Sequence, residues 1–265
     1  VQDLGVMNFI HNEFPDIPIH ASTQMNIMQA KGANLLKPYG VTRVVPAREL
    51  SFTELRQMRD YTDMEIEIFV QGALCFSCSG QCLMSSLIGG RSGNKGACAQ
   101  PCRKMYRIEG RKSGYYLSLK DLCTLNYIPE LINLSVDSFK IEGRMKKPEY
   151  VALTTHLYRK YVDMYYELGD SGYKKRITES DELNKDIEML KDIYNRGGFT
   201  CGYLTGTVKR ENMLSLDRPN HFGLNVGKVV RNMPERGKAE LTFSAECYSQ
   251  DILEIRDKNC NVLHE

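Results

Sequence analysis

No stretch of this sequence approaches the ~20 consecutive apolar residues that a membrane span requires, and nothing at its start reads as a secretory signal. Internal repeats and low-complexity tracts are absent too, which excludes solenoid and disordered architectures. There is no G-x-S-x-G and no H-E-x-x-H, so the local signatures of a serine-hydrolase elbow and of a zinc protease are missing. Net charge is scarce: +2 over 265 residues. That total neither demands nor excludes nucleic acid, because local patches decide the matter. With 42% hydrophobic residues the chain is large enough for one big domain and a smaller one. Its first residues and its last ones both read as β structure, as expected of a segment of a longer protein.

What is present is concentrated. Glu67 to Tyr106 holds five of the nine cysteines (Cys75, Cys78, Cys82, Cys98 and Cys102) and six of the 21 glycines. Its Gly-Gly-Arg-Ser-Gly-Asn run favours turns, so apolar packing alone cannot hold it. Thiolates converging on a metal or an iron–sulfur cluster would. The odd, clustered cysteine count argues against a secreted disulfide scaffold and for a reducing cytoplasm. A structural zinc site usually shows short C-x2–4-C knuckles. The C-x3-C of Cys98 and Cys102 fits that and the C-x6-C of Cys75 and Cys82 does not, so spacing leaves zinc and iron–sulfur both open. Cys123 falls on a predicted helix, and Cys201, Cys247 and Cys260 read as small buried hydrophobes.

Apolar periodicity and turn residues predict helices over 3–14, 25–36, 51–61, 121–134, 150–168 and 179–195, strands over 17–22, 41–47, 64–72 and 136–143, and a short strand or ordered arm over 115–119. Ser51 and Glu54 form a capping box. Strand and helix alternate at βα spacing, which predicts an α/β protein with a parallel sheet, either a (β/α) barrel or an open doubly wound sheet. Four such strands cannot close a barrel, so the barrel alternative is a partial one whose first strands precede Val1. Residues 1–214 are expected to form its C-terminal part, with the Cys-rich insertion at 73–112, and 215–265 the start of a small β domain.

In a βα barrel the working residues lie at the C-terminal ends of strands. Those ends are polar here throughout. The first carries His20 and Gln24, the second Arg48 and Glu49, the third holds Glu67 and ends at Gln71, and the fourth carries Lys140, Glu142 and Arg144. They are the expected pocket: Glu67, Lys140, Glu142 and Arg144 as catalytic candidates, and His20, Gln24, Arg48 and Glu49 as substrate contacts. For Glu142 the plainer reading is an ion pair with Lys140 or Arg144. Arg103, Lys104, Arg107, Arg111 and Lys112, interleaved with Tyr106, Tyr115 and Tyr116, suit phosphate contact and base stacking, and equally a solvated face. His11, His156, His221 and His264 have no evident partners and read as structural.

EIFVQGALCFSCSGQCLMS (67–85) and SFKIEGRMKKPEYVA (138–152), with PIHASTQ, RVVPAREL, GACAQPCR and SLDRPNH, resemble the peptidase U32, or collagenase-like, family. The form of the later motifs looks most like the long members that hydroxylate a cytidine in 23S ribosomal RNA. The resemblance implies a TIM-like barrel, a Cys segment inserted between its last two strands, and a small β domain after it. It implies a 4Fe–4S cluster on Cys75, Cys82, Cys98 and Cys102, with Cys123 as the substitute for Cys102 and with zinc as the alternative metal. It implies rRNA or tRNA as partner and prephenate as an oxygen-donor co-substrate. The other expectations are a collagenase-like protease acting on peptides, and a zinc-stabilised binding module without catalysis. A thiol protease would account for one cysteine, cluster ligation for four.

Overall fold

The computed structural model describes residues 1–206, 208–249, 251–257 and 262–264. Cys260 and the side chain of His264 lie outside what is described. The elements are α1 (Leu4–Glu13), β1 (Ile19–Ala21), α2 (Ala30–Asn34), β2 (Val41–Val44), α3 (Phe52–Tyr61), β3 (Glu65–Ala73), α4 (Met84–Gly89), β4 (Asp121–Cys123), α5 (Ile128–Asn133), β5 (Ser138–Ile141), α6 (Pro148–Glu179), α7 (Glu182–Ile193), β6 (Phe199–Thr200), α8 (Arg210–Met213), β7 (Gly227–Met233), β8 (Lys238–Phe243), β9 (Ile255–Arg256) and β10 (Val262–His264).

Six strands form the main sheet, in the order β1-β2-β3-β4-β6, with β5 also paired to β3. The β1·β2, β2·β3, β3·β5 and β4·β6 pairs are parallel, and β3·β4 is antiparallel. The fold class is therefore mixed α/β, as the alternation predicts, and the sheet is open rather than closed into a barrel. β3, the longest strand of this sheet, is its hub. Its branched residues Ile66, Ile68 and Val70 pack with Met7 of α1, Met58 of α3, Ile128 of α5 and Leu157 of α6 in one apolar core. The helices thus cover one face of the sheet. Because side chains alternate along a strand, Glu65, Glu67 and Phe69 point to the other face.

Local chemistry explains most boundaries. Ser51 and Glu54 close the capping box at α3 as expected, with Ser51 N–H donating to Glu54 Oε2 at 2.8 Å. Pro148 opens α6 at its first helical position, and Gly169, at φ 67°, kinks it.

Three expectations fail. Residues 121–134 are not one helix: Asp121–Cys123 is a strand, because Leu122 and Cys123 are claimed by pairing with β3 and β6 before α5 begins. Of the two readings of residues 115–119 the strand fails: they keep only an isolated bridge from Leu119 to Leu214. The helix expected over 25–36 shrinks to α2, because Asn26 takes a left-handed conformation (φ 54°) after a short 3-10 turn. Beyond residue 214, β7·β8 and β9·β10 form two antiparallel pairs apart from the main sheet. Among the described residues no helix is long and apolar enough to cross a membrane.

Candidate functional site

The sheet face without helices carries a charged network centred on Glu67, which is only 8% exposed. Parallel register sets Ser138 opposite Glu67 and Lys140 opposite Phe69. Lys140 Nζ donates to Glu67 Oε1 at 2.9 Å, Arg43 Nη1 to Oε2 at 3.1 Å and Ser138 Oγ to Oε2 at 3.2 Å. Burial pushes the Glu67 carboxyl up, but these three donors outweigh it and hold it below the usual carboxylate range. Arg43 is shared with Glu65, its Nε lying 2.7 Å from Oε2. His20 pairs in register with Arg43, and burial, then the Arg43 charge, push its imidazole down. Glu67 and Lys140 therefore meet as an ion pair that keeps Glu67 ionised.

Toward the end of β3 the face changes character. The Arg48 guanidinium lies 4.2 Å above the Phe69 ring, and its buried Nε has no hydrogen-bond partner among the described residues. Burial pushes Arg48 down, against the pull of Cys75, Glu142 and Glu49. Glu142 is paired with Arg144, Nε to Oε1 at 3.3 Å, in agreement with the plainer reading of that residue. The Arg144 side chain is exposed, so this pair is a surface contact.

Gln24 and Glu49 do something other than line a pocket. Glu49 accepts from the Ser79 backbone N–H at 2.9 Å and from Ser79 Oγ at 3.0 Å. Gln24 Nε2 donates to the Asn94 carbonyl at 3.2 Å. Asn94 Nδ2 in turn donates to the Gly80 carbonyl at 2.9 Å. The two residues clamp the cysteine loop onto the ends of β1 and β2. Gly80 is what lets the loop come that close: it sits at φ 73°, and a Cβ there would lie 2.0 Å from the Gln24 carbonyl oxygen.

The clamped loop draws four thiols together. The Cys102 thiol feels Cys75, Cys98 and Cys82, and Cys75 feels Cys82 and Cys98. Burial pushes Cys75 and Cys102 up, while Arg48 near Cys75 and Arg103 near Cys102 pull them back. The Ser77 backbone N–H bonds the Cys75 sulfur, and the Gln100 N–H bonds Cys98 Sγ at 3.3 Å. These four sulfurs, with N–H donors on two of them and two guanidiniums alongside, are a donor set suited to a thiolate-ligated metal centre. They are neighbours rather than a closed polyhedron: among the described residues no group of three or more His, Cys, Asp or Glu is arranged to hold a metal ion.

The remaining cysteines separate from this set. Cys78 is exposed and is felt by Tyr203. Cys123, expected on a helix, is on β4 in the apolar core, hydrogen-bonded to Tyr158 and pushed up by burial to about 11. Cys201 and Cys247, expected to be buried, are only partly covered. His221, read as lacking partners, accepts from the Asn195 N–H at 3.1 Å and stacks on Tyr194.

Sequence reasoning missed Arg43, Arg103, Asp121 and Arg196. Arg103 was grouped with a basic surface arm, yet it is buried, donating to Ser118 Oγ at 2.9 Å, to the Leu74 carbonyl at 3.1 Å and to the Leu119 carbonyl. The rest of that arm fits the expectation: Lys104, Arg107, Arg111 and Lys112 are exposed, and no carboxylate pairs with them among the described residues. Asp121 was hidden by the helix assignment.

Fold and site together define an α/β protein whose sheet bears helices on one face and a charged network on the other, with a four-thiol loop docked at its strand ends. The chain belongs to Peptidase family U32, whose profile matches residues 1–214. Over 237 residues it is 36% identical to the 23S rRNA 5-hydroxycytidine synthase of Escherichia coli, covering 87% of this chain and 35% of that protein. It is 33% identical over 286 residues to an uncharacterized protease of Methanocaldococcus jannaschii, covering 100% of this chain and 66% of that one. A tRNA hydroxylation protein of Bacillus subtilis is 39% identical over 163 residues, covering 57% of this chain and 39% of the relative. The chain thus spans about a third to two thirds of the length of these curated relatives. No solved structure matches it.

Proposed function

We propose that this chain carries the working sheet of an enzyme that hydroxylates an RNA base, with a 4Fe–4S cluster on Cys75, Cys82, Cys98 and Cys102. The observation that carries the reading is that those four thiols lie within electrostatic reach of one another on a loop clamped by Gln24 and Glu49 to a polar sheet face. The relatives named for rRNA and tRNA hydroxylation support the substrate class. In this reading the open sheet is part of a TIM-like barrel wall, with helices outside and the charged network within. Residues up to 214 belong to that wall, and the antiparallel pairs beyond begin a second domain.

A bound cluster supplies one-electron chemistry. The chain's own residues do the rest. The Glu67–Lys140–Arg43 network fixes the floor of the site as a rigid ion layer. Arg48, over the Phe69 ring and with a buried Nε that has no partner among the described residues, is the group to donate to a substrate oxygen. His20 is neutral at neutral pH and borders that layer. The exposed cations of 104–112 hold RNA phosphate outside the site, and the target base leaves its stack to enter. An RNA substrate places the work in the cytoplasm.

Zinc on the same four thiols is the second reading, since zinc accepts the same donors and would make the loop a binding arm. A protease reading draws on the relative named for that activity. Against it, no thiol among the described residues hydrogen-bonds a histidine. The test is to delete the gene and compare rRNA and tRNA nucleosides by mass spectrometry. One nucleoside should lose a single oxygen, restored by the wild-type gene and not by Cys82→Ser. Unchanged nucleosides in the deletion strain would refute the reading.

A further inference from the structure

The cysteine insertion hangs from two short pieces of backbone, and one side chain ties them together. Leu74 is the last residue before Cys75, and Ser118 and Leu119 lead out of the insertion toward β4; all three are buried. Arg103 is buried too, only 9% exposed, and directly follows Cys102. Its Nη2 donates to the Leu74 carbonyl at 3.1 Å. Its Nη1 donates to Ser118 Oγ at 2.9 Å and to the Leu119 carbonyl. The guanidinium therefore spans the entry and the exit of the insertion, while its own backbone adjoins Cys102. Both anchors are themselves fixed. Leu74 and Leu119 share a small apolar cluster with Leu122 and Met213. The Ser215 N–H donates to the Ser118 carbonyl and the Lys120 N–H to the Met213 carbonyl, each at 2.8 Å.

This tie needs an arginine. Three acceptors on two chain segments call for both ends of a planar fork, whereas a lysine offers a single nitrogen. None of the three acceptors is a carboxylate. The charge is answered at longer range by Asp121, which Arg196 shares. Burying a guanidinium among neutral acceptors is unfavourable unless the placement it enforces is useful. What it places here is a pair of thiols: Cys75 follows one of its acceptors, and Cys102 precedes Arg103 itself. Gln24 and Glu49 hold the loop at Ser79 and Asn94, and leave its base to Arg103. We propose that Arg103 is a positioning residue for the thiolate metal centre, bracing the base of the insertion so that Cys75 and Cys102 stay within ligating reach of Cys82 and Cys98. The proposal rests on the reading that these four thiols hold a metal, and it applies to iron–sulfur and zinc alike. Arg103 itself does not ligate. Its charge also acts on the Cys102 thiol, but the fork, not the charge, sets the spacing.

The test is a chelator challenge on full-length protein purified without oxygen. It follows release of whichever metal the protein carries, with loss of the thiolate charge-transfer absorption where the metal is iron. Arg103→Met should release metal roughly tenfold faster than wild type or more, the change expected for one lost charge-assisted hydrogen bond. Arg103→Lys keeps the charge but cannot bridge both anchors, and should release nearly as fast. Ser118→Ala removes one acceptor and should fall between. Arg59→Met is the control for stability alone. Arg59 also ties backbone together, through the Thr62 and Met64 carbonyls before β3. Its loss should lower the urea midpoint and leave the release rate at the wild-type value. Wild-type release from Arg103→Met would overturn the proposal. So would wild-type release from Arg103→Lys, which would leave only charge, or equally fast release from Arg59→Met, which would leave only stability. Should Arg103→Met not fold, Arg103→Lys and Ser118→Ala decide the matter. A wild-type protein without thiolate-bound metal would instead remove the reading beneath, and the proposal with it, so the two failures are told apart by the wild type alone.

Discussion

Replacing Glu67 by Gln separates the roles that a buried carboxylate can play. Glu67 is 8% exposed and accepts from Lys140, Arg43 and Ser138 at 2.9, 3.1 and 3.2 Å. The amide keeps the shape and one acceptor, but it strands Lys140 without a carboxylate. Arg43 is less affected, because Glu65 remains. Breaking a fully buried pair costs about 3–5 kcal/mol. The Lys140 side chain is 43% exposed, so water screens part of that loss, and a cost of about 2 kcal/mol is expected. The sign with pH follows from the direction of the shift. A carboxyl held below its ordinary range stabilises the fold above its unfolded value and loses that contribution as pH falls through its folded value. Urea unfolding of the full-length protein should show Glu67→Gln well below wild type at pH 7, with the gap closing below about pH 4. Equal midpoints at pH 7, or a gap that does not begin to narrow as pH falls below about 4, would refute the ion-layer account. A gap closing instead near pH 6 to 7 would mean that Glu67 titrates there and is free to act as an acid.

Gly80→Ala places a Cβ 2.0 Å from the Gln24 carbonyl at a left-handed φ, so the clamp should open; limited proteolysis should cut within 76–100 far faster than in wild type, and an unchanged pattern would contradict the docking. Cys123→Ser puts a hydroxyl into the apolar core and should destabilise by about 1–2 kcal/mol while leaving metal content unchanged, whereas Cys102→Ser should lose metal with little effect on the core; iron assays and urea midpoints on both variants decide it. Burial pushes Lys146 down to about 7, with Asp121 opposing and Arg196 and Arg103 adding to the effect, and with His221 nearby. A lysine lowered in the fold makes stability rise with pH from about 7 toward its unfolded value, by about 1–2 kcal/mol after discounting its exposure; Lys146→Met should flatten that rise, and an unchanged slope would show that Lys146 is solvated.

The fold was legible where period and punctuation agreed. The branched residues of β3, the Ser51 capping box and Pro148 at the head of α6 each named their element. The stretch 121–134 was misread because its apolar residues fit a helix as well as a short strand, and only pairing with β3 and β6 decides between them. The candidate site was legible as a set of residue types rather than of roles. Polar strand ends marked Glu67, Lys140, Arg48 and Glu49, but which side chain pairs with which depends on register, and register is a property of the assembled sheet. That is why the hold of Gln24 and Glu49 on the cysteine loop shows only in the assembled structure. It is also why the Asp121–Arg196 pair, 75 residues apart in the chain, gave no local signal.

The most direct test of the central claim is an assay of iron, acid-labile sulfide and zinc on one sample of full-length protein purified without oxygen. The account predicts about four irons and four sulfides per chain. Both should be lost on changing Cys75, Cys82, Cys98 or Cys102 singly to Ser, and kept in Cys78→Ser and Cys123→Ser. Zinc alone, or a metal-free protein that still hydroxylates RNA, would contradict it.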